Sequence, residues 1–297
     1  MNKVLCSTGA IIVKHDGSDY LLLKDYAEKL NCDGFELMIH FFWYRNLDQI
    51  IDTVKTYGFY IPVIHADKSL GESLCGVKTA YVDRVRKEQV LSPEEDLEFY
   101  KLGTERFQQH LRAAEKLGAD KMVLHLWNGP GSDKNIEKNI ERFASWKEMA
   151  DRAGVDILCE NVVCNTHDPI SNLTLLAKTF PDISFVYDTK MAEFHDQTMD
   201  LFDKQNDWML TENHIKHLHI NDYGGGYMDW AHMEVLPIGN GHVDFESFFN
   251  ALKGYNYTGD YTIEATAFNW ARDTVDLDML NSCFDKLRAL RDKYITA

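Results

Sequence analysis

The stretch "HIKHLHINDYGGG", residues 214 to 226, places three histidines and an aspartate within nine positions. Side chains of an extended strand point to opposite faces in turn, so Ile215, His217 and His219 share one face while Leu218 and Ile220 share the other. A strand backed by helices, with its polar end on a cavity, reads this way. The glycines after Asp222 then read as the loop leaving that cavity. Other short apolar runs finish alike, in Glu36, His65, His125, Glu160, Asp188 and Glu264. A lone buried histidine is more often a hydrogen-bonded core residue than a ligand, but from the third run onward every run ends in an imidazole or a carboxylate. Carboxylates buried side by side without a cation would have raised pKa values and would destabilise the fold. A bound metal is the simplest account. Two Glu, one Asp and a His offer three oxygens and one nitrogen, which suits Mn²⁺, Mg²⁺, Co²⁺ or Zn²⁺. Cysteine is not expected among the ligands, since Cys159 precedes Glu160 and so faces the opposite side of its strand.

These residues need elements that carry them to one place. The apolar runs are "VLCSTG" (4 to 9), "GFELMI" (34 to 39), "FYIPVIHA" (59 to 66), "KMVLHLW" (121 to 127), "VDILCEN" (155 to 161), "ISFVYDT" (183 to 189), "IKHLHIN" (215 to 221) and "GDYTIEA" (259 to 265). Between them lie segments of helical period, such as "NLDQIIDTVKTYG", "IEKNIERFASWKEMADRAG" and "TVDLDMLNSCFDKLRALRDKY". "SPEED" supplies a serine cap, a proline and acids for a first turn. Eight strands alternating with helices predict an α/β fold, a single (β/α)₈ TIM barrel over residues 1–297, with the site at the C-terminal strand ends. An open doubly wound sheet is the competitor, but no G-x-G-x-x-G follows an early strand.

Composition narrows the partners. The 297 residues are 45% apolar and 26% charged, without an apolar run long enough for a membrane span. The formal charge of −16 opposes nucleic-acid binding, which draws on clustered Lys and Arg, and the basic run "DRVRKEQ" (83 to 89) is interleaved with acids. The opening "MNKVLCSTGAIIV" reads as a first strand rather than a signal peptide. The six cysteines form no C-x-x-C pair and suit reduced thiols in the cytoplasm. A homo-oligomer is compatible with all of this.

The motifs "LCENV", "VYDT", "HLHINDYG", "PIGNGHVDF" and "YTIEAT", in this order across residues 155 to 266, resemble the xylose-isomerase-like TIM-barrel superfamily of sugar phosphate isomerases and epimerases; "STGA" and "DGFEL" fit the same pattern. The resemblance to its ketose 3-epimerase branch implies one divalent ion held by Glu160, Asp188, His219 and Glu264, with Glu160 and Glu264 also acting as acid and base. That implies an isomerase or epimerase of a sugar or sugar derivative, working through an enediolate. Two positions depart from the branch: Met191 stands where a histidine is expected and Thr166 where a glutamate is. His195 is a candidate stand-in. His65, His125, Trp127 and His195 are the candidate substrate contacts, with Trp43, Tyr44 and Trp230 as further aromatics beside strand ends.

Two other readings stay open. The endonuclease IV branch binds more zinc, and His65, His125, Asp229 and His232 resemble its extra ligands, which would make a hydrolase of a small phosphoester. A non-catalytic sugar-binding barrel is the third. Near the strand ends the cations are Arg45, Lys68, Lys190 and Arg272, none in a glycine-rich phosphate loop, so a non-phosphorylated substrate is expected. His217, roughly 6–7 Å deeper than His219 along the strand, is expected in a supporting role.

Overall fold

The computed structural model describes residues 2–12, 18–82, 85–128, 132–269 and 272–295. Among them eight parallel strands close into a barrel: β1 (Val4–Ser7), β2 (Gly34–Met38), β3 (Val63–His65), β4 (Lys121–Leu124), β5 (Asp156–Glu160), β6 (Ser184–Asp188), β7 (Ile215–His219) and β8 (Asp260–Ile263). Each pairs with its neighbours in sequence, and β8 closes on β1 with Val4 opposite Tyr261. All eight apolar runs of the sequence become these strands. The run at 83 to 89 lies partly outside the described residues. No helix among the described residues is long and apolar enough to cross a membrane.

Alternation along each strand divides the molecule into two interiors. Residues such as Cys6, Leu37, Ile64, Leu124, Cys159, Tyr187, Leu218 and Ile263 face outward into the large core beneath the helices. Their neighbours face inward, where Leu5, Val63, Val123, Leu158 and Val186 make a small apolar plug. Cys159 therefore lies in the outer core and Glu160 in the barrel, as their adjacency predicts.

The helices form where capping and period call for them. Ser92 accepts from the Glu95 amide while the Glu95 carboxylate accepts from the Ser92 amide, a complete capping box for the helix Pro93–Leu117. That helix and Ile136–Ala153 each stop at a glycine in the left-handed region, Gly118 and Gly154. The two helices are tied by Asp96, which takes both guanidinium nitrogens of Arg142 at 2.8 and 2.7 Å and Lys138 at 2.8 Å.

Between β3 and β4 the chain adds what periodicity did not show: a short helix, Leu70–Cys75, and an antiparallel pair of strands, Val77–Val82 with Val85–Val90. The pair's apolar residues, Val77, Ala80, Tyr81, Val82, Val85 and Val90, do not alternate with the polar ones and leave no period-two signature. The short helix comes so near the end of β4 that a Cβ on Gly71 would collide with the His125 carbonyl oxygen and press on Leu126 and Trp127. Gly71→Ala should therefore overpack this contact, costing about 1–3 kcal/mol and a few degrees of melting temperature. Gly254→Ala, where a Cβ meets open space, is the control, and equal melts for the two variants would show that the approach carries no strain.

Candidate metal centre at the barrel mouth

Seven of the eight strands send a polar side chain inward at the C-terminal end, and these meet around one imidazole. His219 Nδ1 lies 3.1 Å from Glu160 Oε1, 3.3 Å from Glu264 Oε2 and 3.9 Å from Asp188 Oδ2. Donor atoms of Glu160, Asp188, His219 and Glu264 all fall within 4.8 Å of one another. On the far edge of the ring, His219 Nε2 donates to Glu36 Oε2 at 3.2 Å. His65, His125 and Glu160 form a second such group, with His125 Nε2 at 2.5 Å and His65 Nε2 at 3.7 Å from Glu160 Oε2. The 2.5 Å approach lacks hydrogen-bond alignment, so both His125 nitrogens and that oxygen remain unpartnered.

Two asparagines position the acids. Asn161 grips the backbone of Asp188, accepting its amide at 2.6 Å and donating to its carbonyl at 3.1 Å. Asn221 donates to Asp188 Oδ2 at 2.8 Å and Glu264 Oε2 at 3.1 Å, and its own oxygen accepts the Glu264 amide at 2.9 Å. The other Asp188 oxygen caps the helix Thr189–Phe194 by accepting the Met191 amide. Asp222 organises the loop "PIGNGHVDF", its two oxygens accepting the amides of Tyr223, Gly239, Gly241 and Val243.

Electrostatics inside this group are strained. Burial alone would raise every carboxyl, but His219 and, for Glu160, His125 hold Glu160 and Glu264 below the ordinary range. Asp188 bears the opposite effect: burial, then the fields of Glu160 and Glu264, push it up to about 7. Burial disfavours a charged His219, yet Glu36, Glu264 and Glu160 raise its pKa well above the usual value. One imidazolium thus serves several acids. Orphaned oxygens remain on Glu36, Glu160 and Glu264, which is what a donor set made for a cation looks like without one.

Beneath His219 the barrel lining is polar on one side. His217 Nε2 donates to Thr262 Oγ1 at 2.7 Å, and Thr262 donates to Glu36 Oε2 at 3.0 Å. His217 therefore lies a layer below the donor group, and Glu36 couples the two layers. Glu36 stood among the strand-end residues of the sequence but in no assigned role; its signal was the one acid inside "GFELMI".

The remaining expected contacts divide. His65 and His125 adjoin the donor group. Trp127 is fully buried, with its indole N–H committed to the Val162 carbonyl at 2.8 Å. His195 is 6% exposed and accepts the Cys164 amide at 3.2 Å, so it is neither a solvated loop residue nor aimed at the donors by any hydrogen bond. Trp43 is buried, Tyr44 donates to Asp67 at 2.9 Å, and Trp230 donates to Asn165 at 3.0 Å. Asp229 and His232 pair with each other at 2.7 Å, with His232 67% exposed, and belong to none of the donor groups among the described residues. Thr166 gives only its amide, to Asp133.

Comparison with known proteins agrees with this architecture. None of the curated proteins matches the sequence. Solved structures of similar fold include a D-tagatose 3-epimerase-like protein (TM-score 0.66, 19% identity, 98% of this chain and 99% of that one). The 3-keto-D-glucoside 4-epimerase YcjR from E. coli is similar too (0.63, 15%, 98% and 100%), as is the IOLI protein with a binding zinc atom (0.66, 13%, 99% and 100%). The family model of the xylose isomerase-like TIM barrel matches residues 25–283, and the chain belongs to that family.

Proposed function

We propose that this protein is a metal-dependent isomerase or epimerase of a sugar or sugar derivative. The observation that carries this reading is the convergence of Glu160 and Glu264 on His219 Nδ1, with Asp188 beside them and the donor atoms within 4.8 Å. Glu160, Asp188, His219 and Glu264 would hold one divalent cation, Mn²⁺, Mg²⁺, Co²⁺ or Zn²⁺, and their orphaned oxygens fit that use. When bound, the cation supplies Lewis-acid polarisation of a carbonyl and its neighbouring hydroxyl.

The chain's own residues do the rest. Glu160 and Glu264 come from strands three positions apart round the barrel, so a substrate carbon between them has a carboxylate on either side. With one of the two ionised and the other carrying a proton, the carboxylate takes the proton beside the carbonyl, leaving an enediolate, and the protonated partner gives up its own to the enediolate. Return to the opposite face of the same carbon gives epimerisation; return to the adjacent carbon gives isomerisation. Asn221 keeps Glu264 in place through its amide and its carboxylate. The described cysteines are all free, which fits a cytoplasmic enzyme.

One observation supports a second reading. His65, His125 and Glu160 form a donor group of their own, so a second cation sharing Glu160 would suit hydrolysis of a small phosphoester. Metal analysis separates the two: one ion per chain supports the isomerase, two or more the hydrolase. A sugar-binding barrel without turnover is the third, and exchange of solvent deuterium into a ketose decides against it.

In that exchange assay Glu160→Gln and Glu264→Gln should each abolish incorporation while leaving thermal melts close to those of the parent; near-full exchange in either would overturn the acid-base assignment. His219→Ala should remove a ligand outright. His217→Ala should chiefly cost stability, because it empties a buried site and orphans Thr262. Glu36→Gln keeps the shape but weakens the acceptor that orients His219, and metal affinity should fall roughly 10- to 100-fold. Competition with a chelator measures all three, and a Glu36→Gln protein that binds metal as tightly as the parent would remove Glu36 from the centre.

Metal affinity should also fall as pH falls. The acids around His219 raise its affinity for a proton, and that proton must leave before Nδ1 can bind a cation. Calorimetric titration in buffers of different ionisation enthalpy should register proton release at neutral pH.

A further inference from the structure

Two lysines at the barrel mouth have no hydrogen-bond or ion-pair partner among the described residues. Lys190 follows Asp188 by two residues on the first turn of Thr189–Phe194 and is 3% exposed. Its ammonium makes no hydrogen bond or ion pair with any described residue, although a buried lysine is nearly always paired. Nor is its nitrogen among the enclosed unpartnered atoms, so the tip of the side chain reaches open space. Lys68, half-buried in the turn after β3, is likewise unpaired.

Their position follows from the strands they come after. Lys68 is a charged neighbour of His40 after β2, His125 after β4, Glu264 after β8 and Lys190 after β6. Lys68 comes three residues after His65, so it lies past the C-terminal end of β3, on the mouth side of the barrel. Lys190 comes two residues after Asp188, past the C-terminal end of β6 on the same side of the barrel, and lies in the fields of Asp188, Lys68, Glu264 and Glu160.

We propose that Lys68 and Lys190 form a subsite for a carboxylate of the substrate, making it an acidic sugar derivative whose keto-hydroxyl end lies at the metal centre. This rests on the isomerase reading above. An incoming carboxylate would give a buried, unpaired ammonium the partner it lacks. A phosphate fits less well: neither lysine lies in a glycine-rich loop, and the helix that follows Asp188 already has its N-terminus capped by that residue. The competing view makes the lysines plain counter-charges for the buried acids. They would then affect metal binding and discriminate no substrate.

The test is equilibrium binding of three probes to the metal-loaded protein: D-fructose, 5-keto-D-gluconate and D-fructose 6-phosphate. The parent should bind the keto acid most tightly. In Lys190→Met and in Lys68→Met the preference for keto acid over fructose should fall about 10- to 100-fold, and Lys68→Arg should restore part of it. Metal affinity, measured by chelator competition without sugar, separates the counter-charge view, in which it changes while the preference stays. If Lys190→Met fails to fold, the half-buried Lys68 variants carry the test. Equal binding of fructose and the keto acid by the parent, or preference for the phosphate, overturns the inference while leaving the isomerase reading intact. Absence of binding by all three sends the failure back to that reading.

Discussion

Burying Glu36, Glu160, Asp188 and Glu264 around one histidine is the constraint on which the rest of the molecule depends. Each lies 8% exposed or less, and an isolated ionised carboxylate in such surroundings is prohibitively unfavourable. The protein offsets this in three ways. His219 sits among the acids, its Nδ1 toward three of them and its Nε2 toward Glu36. Asn161 and Asn221 spend their amides on Asp188 and Glu264, fixing backbone and carboxylate together. The last contribution falls to a cation, since the oxygens still orphaned point to one. A closed barrel is suited to this, because its backbone hydrogen bonds are all made and only side chains remain to be satisfied inside.

The barrel interior is correspondingly lopsided. Leu5, Val63, Val123, Leu158 and Val186 form a dry plug contributed by β1 and β3 to β6. The remaining strands bring Glu36, His217 and Thr262, joined by hydrogen bonds into one chain that ends on His219. The polar side supports the ring of His219 from below, while the apolar side excludes water from the floor. In such a site a misplaced hydroxyl would matter as much as a lost ligand, because Thr262 both accepts from His217 and donates to Glu36.

How much of this is legible in the sequence depends on periodicity. All eight strands are visible because inward and outward residues alternate, and on seven of them an inward residue at or near the C-terminal end is the one brought to the donor group; Leu158, Cys159 and Glu160 already say which way the carboxylate faces. Glu36 is harder to read, since its contacts lie 181 and 183 residues away, on His217 and His219. Asn161 and Asn221 are polar residues one and two places after a ligand, and nothing local distinguishes a clamp from a solvated loop residue. Trp127 and His195 show the converse. An aromatic at a strand end and a histidine in a polar loop look available in sequence, yet the packing commits Trp127 to the Val162 carbonyl and His195 to the Cys164 amide. The extra strands, Val77–Val82 and Val85–Val90, leave no periodic trace because their apolar and polar residues do not alternate in the sequence.

The division of labour within the site follows from these constraints. Strands carry the residues whose distances must be fixed, because hydrogen-bonded neighbours leave them little freedom; Asp188 and His219 are paired in register across β6 and β7. The residues that follow, on loops and short helices, can change without disturbing the barrel. Met191 and Lys190 illustrate the point. Met191 donates its backbone amide to Asp188, so the cap does not depend on which side chain stands there. Lys190 sits beside it on the same turn, two residues after Asp188 and without a partner among the described residues. The turn after Asp188 can thus vary while Glu160, Asp188, His219 and Glu264 stay where the strands put them.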